Sequence, residues 1–290
     1  MAQNDQAVIT AAVGYVFTAT PGTAAPTPSE LAALDPELFG AQAHDVKLAS
    51  GTASGGTFTV TVESDTTGNL AWDISAANLQ AAIEALDDVG AGNVIVTGTS
   101  LVSPGFIVKF VGALQGEDVT VSVDDTNLTG STPNLTSSVT TALVGWTPVG
   151  HTSRNDMPEF GFEGGDKEVR GTWQNAQLRE VQTETPADYL TLFLHQFDTK
   201  SFELYYGPNA SVTSGVFGVS GEETTNEKAF LVIIVDGDEK IGFYAPKASV
   251  RRDDAIQMPV DDFASLPIRA TFLKMPARRL YDWINETLFA

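Results

Sequence analysis

Cysteine is absent from this 290-residue chain, so it has no disulfide framework, no thiolate metal site and no cysteine nucleophile. Basic residues are scarce: 16 lysines and arginines stand against 37 acidic residues, a formal charge of −21. Such a chain repels a phosphate backbone, which argues against a protein that grips nucleic acid. Long apolar runs are missing as well. The N-terminal stretch MAQNDQAVITAAVGYVFTAT carries no Lys or Arg ahead of its short apolar segment, is broken by Gly14 and is followed by Pro21. It reads neither as a secretory leader nor as a membrane span, which needs roughly 20 continuous apolar residues.

What the chain has in quantity is Gly, Thr, Ser and Val between short apolar runs, an all-β signature at a length sufficient for two domains. Residues 47–142 differ in texture from their surroundings. Residues 58–62 alternate F-T-V-T-V, 93–97 read N-V-I-V-T, 105–110 read G-F-I-V-K-F and 119–123 read V-T-V-S-V, four short strands. Between the first two, Ser75 is a suitable N-cap, Leu79, Ala82, Ile83 and Leu86 recur at helical spacing, and Gly90 can end the helix in the left-handed conformation. The flanks, A-S-G-T-A-S-G-G at 49–56 and T-G-S-T-P-N-L-T-S-S at 129–138, have linker composition and read as the hinges of an insertion.

The run S-A-A-N-L-Q-A-A-I-E-A-L, then G-A-G-N-V-I-V-T-G, then F-I-V-K-F-V-G-A-L-Q-G, resembles a small Ig-like repeat module of phage virion and bacterial surface proteins. Excising 47–142 joins residues 1–46 to 143–290 as one discontinuous domain of ordinary size. In it, GYVFTATPGTAAPTPSELAALDPELFG leads towards WTPVGHTSRNDMPEFGFEGGD. The P-G-T-x-x-P loop and the later Trp, Gly and T-S-x-x-D run resemble the phage tail tube proteins.

Further elements follow in this outer domain. Strands are expected at 167–174 and 178–182, then a helix from Thr185, where Thr-Pro-Ala-Asp supplies a cap and a first-turn proline and Leu190, Phe193, Leu194 and Phe197 form an apolar stripe. Strands are expected again at 201–206, 228–235, 239–246 and around Ala270, with Val-Asp-Gly-Asp at 235–238 as a hairpin turn. The expected fold is therefore all-β dominated: a tail-tube-like β-sandwich or barrel with one flanking helix, plus an inserted small β-rich Ig-like domain carrying one helix.

Chemistry is hard to find in this sequence. His151, Ser153 and Asp156 have the residue types of a hydrolytic triad, but three members within six residues of one loop do not easily reach its geometry. Asp236, Asp238 and Glu239 lack the spacing of a calcium loop. The adjacent pairs Asp87/Asp88, Asp124/Asp125, Asp253/Asp254 and Asp261/Asp262 are poor acid–base couples, because neighbours on a strand point to opposite faces. No catalytic residue, cofactor or metal is expected.

Candidate contact residues are easier to name. The glycine-rich stretch 150–166, read as a loop, holds Met157, Phe160 and Phe162 without periodicity, and aperiodic apolar side chains mark either an interface or a local mini-core. The terminal run P-A-R-R-L-Y-D-W-I-N-E-T-L-F-A offers Leu280, Trp283, Ile284 and Phe289 either to a neighbouring subunit or to a last strand of the chain's own sheet. The acidic excess is either plain solubility or a field with a purpose.

The resemblance implies a structural virion protein, the major tail tube subunit, whose copies close into hexameric rings that stack through loops and arms into a channel for DNA. It implies the tape measure protein and a tail terminator as partners, passage of DNA without specific binding, no membrane, and assembly in the host cytoplasm into the virion tail. On that reading Asp166, Glu168, Glu180 and Glu184 are candidates for the channel wall, and the insert projects outward. Two alternatives remain open: a secreted or surface glycan-binding β-sandwich, for which Trp72 and strand phenylalanines would have to be exposed, and another phage structural role, capsid decoration or tail completion.

Overall fold

The computed structural model describes residues 8–222 and 224–289, and the described chain is mostly strand. It divides into two compact units: Leu34–Pro148, and a discontinuous unit that runs to Ala33 and resumes at Val149.

The discontinuous unit is built on one antiparallel sheet. Its strands lie in the order Glu159–Glu163, Ala187–Leu194, Leu266–Phe272, Glu239–Arg252, Asn226–Asp236 and Val13–Ala19. The expected hairpin forms at residues 236–239, where Asp236 pairs with Glu239 across Gly237 and Asp238. The long strand Glu239–Arg252 changes partner along its length. Its second half pairs with Leu266–Phe272, whereas Gly242, Phe243 and Tyr244 pair with the short terminal strand Asp282–Ile284. The register slips where Pro246 sits, between Lys228↔Ala248 and Phe230↔Ala245, as expected of a residue that cannot donate to the ladder.

Two elements exchange identity with the sequence reading. The segment expected as a helix from Thr185 is the strand Ala187–Leu194, and the segment expected as a strand at 201–206 is the helix Thr199–Tyr206. Leu190, Leu192 and Leu194 are buried at a period of two, and the strand is sandwiched between Glu159–Glu163 and Leu266–Phe272, so pairing on both sides overrides the helical spacing. The helix takes Asp198 as its N-cap, whose carboxylate accepts from Ser201 N at 2.8 Å, and ends at Gly207 with φ 83°. It buries Leu204 and Tyr205 in the same core as Leu190, Phe230, Phe243 and Ile268. A second short helix, Pro28–Ala33, buries Leu31 completely.

The unit Leu34–Pro148 has its own core, in which Phe58, Leu79, Ile83, Phe106 and Phe110 are fully buried. The helix Ala76–Glu84 starts as expected, with Ser75 Oγ accepting from Asn78 N at 3.3 Å. Strands Val94–Thr97, Phe106–Phe110 and Val121–Asp124 follow in the expected order. The supposed hinges are not linkers. Residues 49–56 belong to the 20-residue strand Ala43–Val62, and 129–138 belong to its partner Leu128–Thr141. Glycine serves close approach here: a Cβ on Gly51, whose φ is 77°, would lie 2.0 Å from the Thr132 carbonyl oxygen.

Candidate assembly surfaces

The expected loop around Met157, Phe160 and Phe162 is in part the edge strand Glu159–Glu163, which among the described strands pairs with Ala187–Leu194 alone. Its other edge pairs with no described strand, and such an edge is the usual template for adding a strand. Phe160 pairs with Leu190 and points to the core side, with its ring 4.6 Å from Phe243 and 5.3 Å from Trp283. Phe162 is 75% exposed. Met157 lines an apolar groove of about 370 Å³ with Val13, Val16, Phe160, Val232 and Ile234. The stretch thus supplies one core anchor, Phe160, and one free aromatic, Phe162.

On the opposite face of the edge strand, charge is gathered by Arg269. Its guanidinium donates to Glu163 at 2.9 Å and to Asp253 at 2.7 Å and stacks 4.1 Å from the Tyr189 ring centroid. Burial would lower its pKa, but Asp253 and Glu163 outweigh that and raise it, so the cation is fixed. Gly161 makes room for this stack, since a Cβ there would meet Tyr189 at 2.5 Å. The cluster fastens the edge strand to strands two positions away in the sheet.

The terminal segment completes its own sheet through Asp282–Ile284. Trp283 packs on Phe243 at 5.0 Å, Leu280 packs against the core, and Ile284 pairs with Gly242. Phe289, 61% exposed, is the member of that group most open to solvent, and Trp283 keeps 42% of its surface exposed.

The candidate channel-wall carboxylates belong to a two-stranded ribbon, Lys167–Thr172 with Asn175–Gln182, nearly every residue of which is exposed. Glu168 lies opposite Val181 and Glu180 opposite Val169, so the two glutamates occupy opposite faces. Each also has a cation, Arg170 at 3.3 Å and Lys167 at 3.3 Å. Asp166 and Glu184 lie at the ribbon base, where the Asp166 carbonyl accepts from Thr183 N and Glu184 N.

The His-Ser-Asp stretch forms a local turn. Asp156 N donates to Ser153 Oγ at 2.9 Å, and Ser153 Oγ lies 3.2 Å from Asp156 Oδ2. His195, expected on a helix, lies just past a strand with Nδ1 2.9 Å from the Ala264 carbonyl. Among the described residues no group of three or more His, Asp or Glu is placed to hold a metal ion. Among the described residues no helix is long and apolar enough to cross a membrane.

The model of the phage tail tube protein family matches residues 1–72 and 118–290. This chain belongs to the phage tail tube protein family. The major tail protein Gp23 of Mycobacterium phage D29 is 40% identical over 289 residues, covering 100% of this chain and 96% of its own. Its namesake from Mycobacterium phage L5 is 60% identical over 149 residues, 51% of this chain and 75% of its own. A solved chain from Mycobacterium phage Patience aligns over 34% of this chain and 36% of its own, at 30% identity and a TM-score of 0.24. As a tail tube protein the chain is a structural subunit of the virion tail. The family match passes over residues 73–117, which hold the helix Ala76–Glu84 and the strands Val94–Thr97 and Phe106–Phe110.

Sequence reasoning missed several surface residues of this tail tube protein. Trp173, at the ribbon tip, is 99% exposed, and Val260 and Phe263, in the segment between Arg252 and Leu266, are also exposed. Their signal was present: a lone Trp near the end of the expected strand 167–174, and M-P-V flanked by acidic pairs.

Proposed function

We propose that copies of this chain close into hexameric rings, and that the rings stack into the hollow tail tube through which phage DNA leaves the capsid. The observation that carries this reading is the family match on both parts of the discontinuous unit. The free edge of Glu159–Glu163 and the exposed Phe162 supply surface of the kind that ring closure needs. The formal charge of −21 suits a wall that DNA slides past without adhering. The tape measure protein and the tail terminator are the partners that a tube of defined length requires, and assembly takes place in the host cytoplasm. The insertion, residues 47–142, keeps its reading as a small Ig-like unit; it lies within the compact unit Leu34–Pro148.

Negative-stain electron microscopy of the purified chain over a concentration series is the direct test. Uniform hollow tubes or six-fold rings are expected. Phe162→Ser should raise the concentration needed for assembly about 10-fold, the factor that corresponds to about 1.4 kcal/mol, while leaving the monomer's melting temperature unchanged. Strictly monomeric wild-type particles, with or without a tail initiator complex, would remove the reading.

Asp166 and Glu184, at the ribbon base, are the channel-wall carboxylates that we retain. Replacing both by lysine in a phage that depends on this subunit should leave tail number and length unchanged and slow DNA ejection several-fold, because duplex phosphates then meet cations on the wall. Unaltered ejection kinetics would move the channel wall elsewhere.

A further inference from the structure

Two projections of the discontinuous unit are apolar, exposed and of opposite charge. Among the described residues the two strands of the ribbon 167–182 pair only with each other, and an isolated two-stranded hairpin is marginal in water without a surface to lie on. It exposes Trp173 at 99%, Val169 and Leu178. It also concentrates Lys167, Arg170 and Arg179, a net positive charge on a chain whose total is −21. Lys167 and Arg170 are shared with Glu180 and Glu168, whereas Arg179 has no ion-pair partner among the described residues.

The second projection is the connection from Asp253 to Ser265. It contains four aspartates and no basic residue, and it exposes Met258, Val260 and Phe263. It is fixed at its base. Gln257 and Ser265 exchange backbone hydrogen bonds of 3.0 and 2.9 Å, and Asp253 N donates to the Pro267 carbonyl. Asp253 is engaged by Arg269 and Asp262 by Asn155, while Asp261 has no partner among the described residues. Both projections face solvent in one molecule, so neither covers the other there.

From this complementarity we infer that the ribbon of one copy docks on the 253–265 connection of the next, with Trp173 seated against Val260 and Phe263 and Arg179 opposite Asp261. The inference rests on the self-assembling tail tube reading and names one contact within it. The two surfaces differ, so the contact is heterologous. Such contacts propagate into rings or helical filaments and do not stop at a dimer. The aromatic anchor supplies most of the affinity, and the charges supply orientation and salt sensitivity.

The absence of native cysteine makes the test clean. One preparation carries Gln174→Cys and a second carries Met258→Cys, and the two are mixed under assembly conditions and oxidised. Mixed disulfide dimers should exceed like–like dimers several-fold. Trp173→Ala should raise the critical concentration about 30-fold, which corresponds to a hot-spot loss of about 2 kcal/mol. Arg179→Glu and Asp261→Lys should each impair assembly, and the double variant should recover it. Tubes that form with no mixed disulfide and no rescue overturn this contact and leave the tube reading standing. Absence both of polymers and of mixed disulfides under every condition overturns the two together, whereas mixed disulfides without polymers support the contact alone.

Discussion

Phe243→Ala should lower the stability of the discontinuous unit by about 3–5 kcal/mol, the range for truncating a fully buried phenylalanine. The ring is 1% exposed and lies within 5.5 Å of the rings of Phe160, Phe272, Tyr281 and Trp283. It is therefore the common support of the edge strand and the terminal strand. The loss is a large part of the 5–15 kcal/mol that holds an ordinary domain. Denaturant titration followed by Trp283 fluorescence should show an earlier midpoint, and assembly should fail along with it because Phe160 loses its seat. Phe162→Ala provides the contrast: at 75% exposure it should change stability by less than about 0.5 kcal/mol. A Phe243→Ala protein that melts like wild type would show that the aromatic cluster is not the anchor.

The second large effect is expected in the unit Leu34–Pro148. Asp45 is 1% exposed, and its carboxylate pairs with Lys47 and accepts from Ser138 N at 2.9 Å and Ser138 Oγ at 2.6 Å. Asp45→Ala should cost about 3 kcal/mol through loss of these charge-assisted bonds. Burial pushes the Asp45 carboxyl up, but Lys47 and Ser138 together outweigh it and hold the pKa below the ordinary carboxylate range. Its stabilisation is thus present above an unfolded-state pKa of about 3.9 and is lost as pH falls through the lower folded value.

The adjacent His44 adds a second acid-sensitive step. Burial lowers its pKa, against weaker upward effects from the Val119 carbonyl, Asp118 and Asp45, and its Nε2 lies 2.9 Å from that carbonyl. The unfolded chain binds the proton more tightly than the folded one, so this share of stability starts to fall below about pH 6.5. Melting temperature against pH should therefore decline in two stages. In Asp45→Asn the lower stage should flatten while the upper one stays. An unchanged acid limb in that variant would assign it to other carboxylates.

Several parts of this protein were open to reading from the chain alone. The β-rich class follows from Val, Thr and Gly between short apolar runs, and the helix at 76–84 follows from a cap and a periodic stripe within one short window. These are local signals, and local interactions set them. The contact surfaces were half legible. Met157, Phe160 and Phe162 stood out as apolar and aperiodic, and Phe160 and Phe162, two apart on one strand, share a face, but nothing in their order says that Phe160, opposite Leu190, reaches Phe243 while Phe162, opposite Asp188, stays 75% exposed. That distinction depends on how far along the edge strand the core extends.

What the sequence by itself determined is the composition-level character of the protein: cysteine-free, strongly acidic, β-rich, with a helix-bearing segment set into a tail-tube-like pattern. Tertiary structure alone decided the rest. Leu190, Phe193, Leu194 and Phe197 fit a helix, while Leu190, Leu192 and Leu194 fit a strand, and the choice fell to hydrogen-bonded neighbours some 30 and 80 residues away in sequence. The glycine-rich runs at 49–56 and 129–138 look like hinges by composition, yet they are paired strands because each supplies the close approach that the other's backbone needs. Glu168 and Glu180 look equivalent in sequence, yet register places them on opposite faces of the ribbon. In each case the deciding partner lies outside any local window, and local propensity differs by too little to resist a ladder of backbone hydrogen bonds and a buried face.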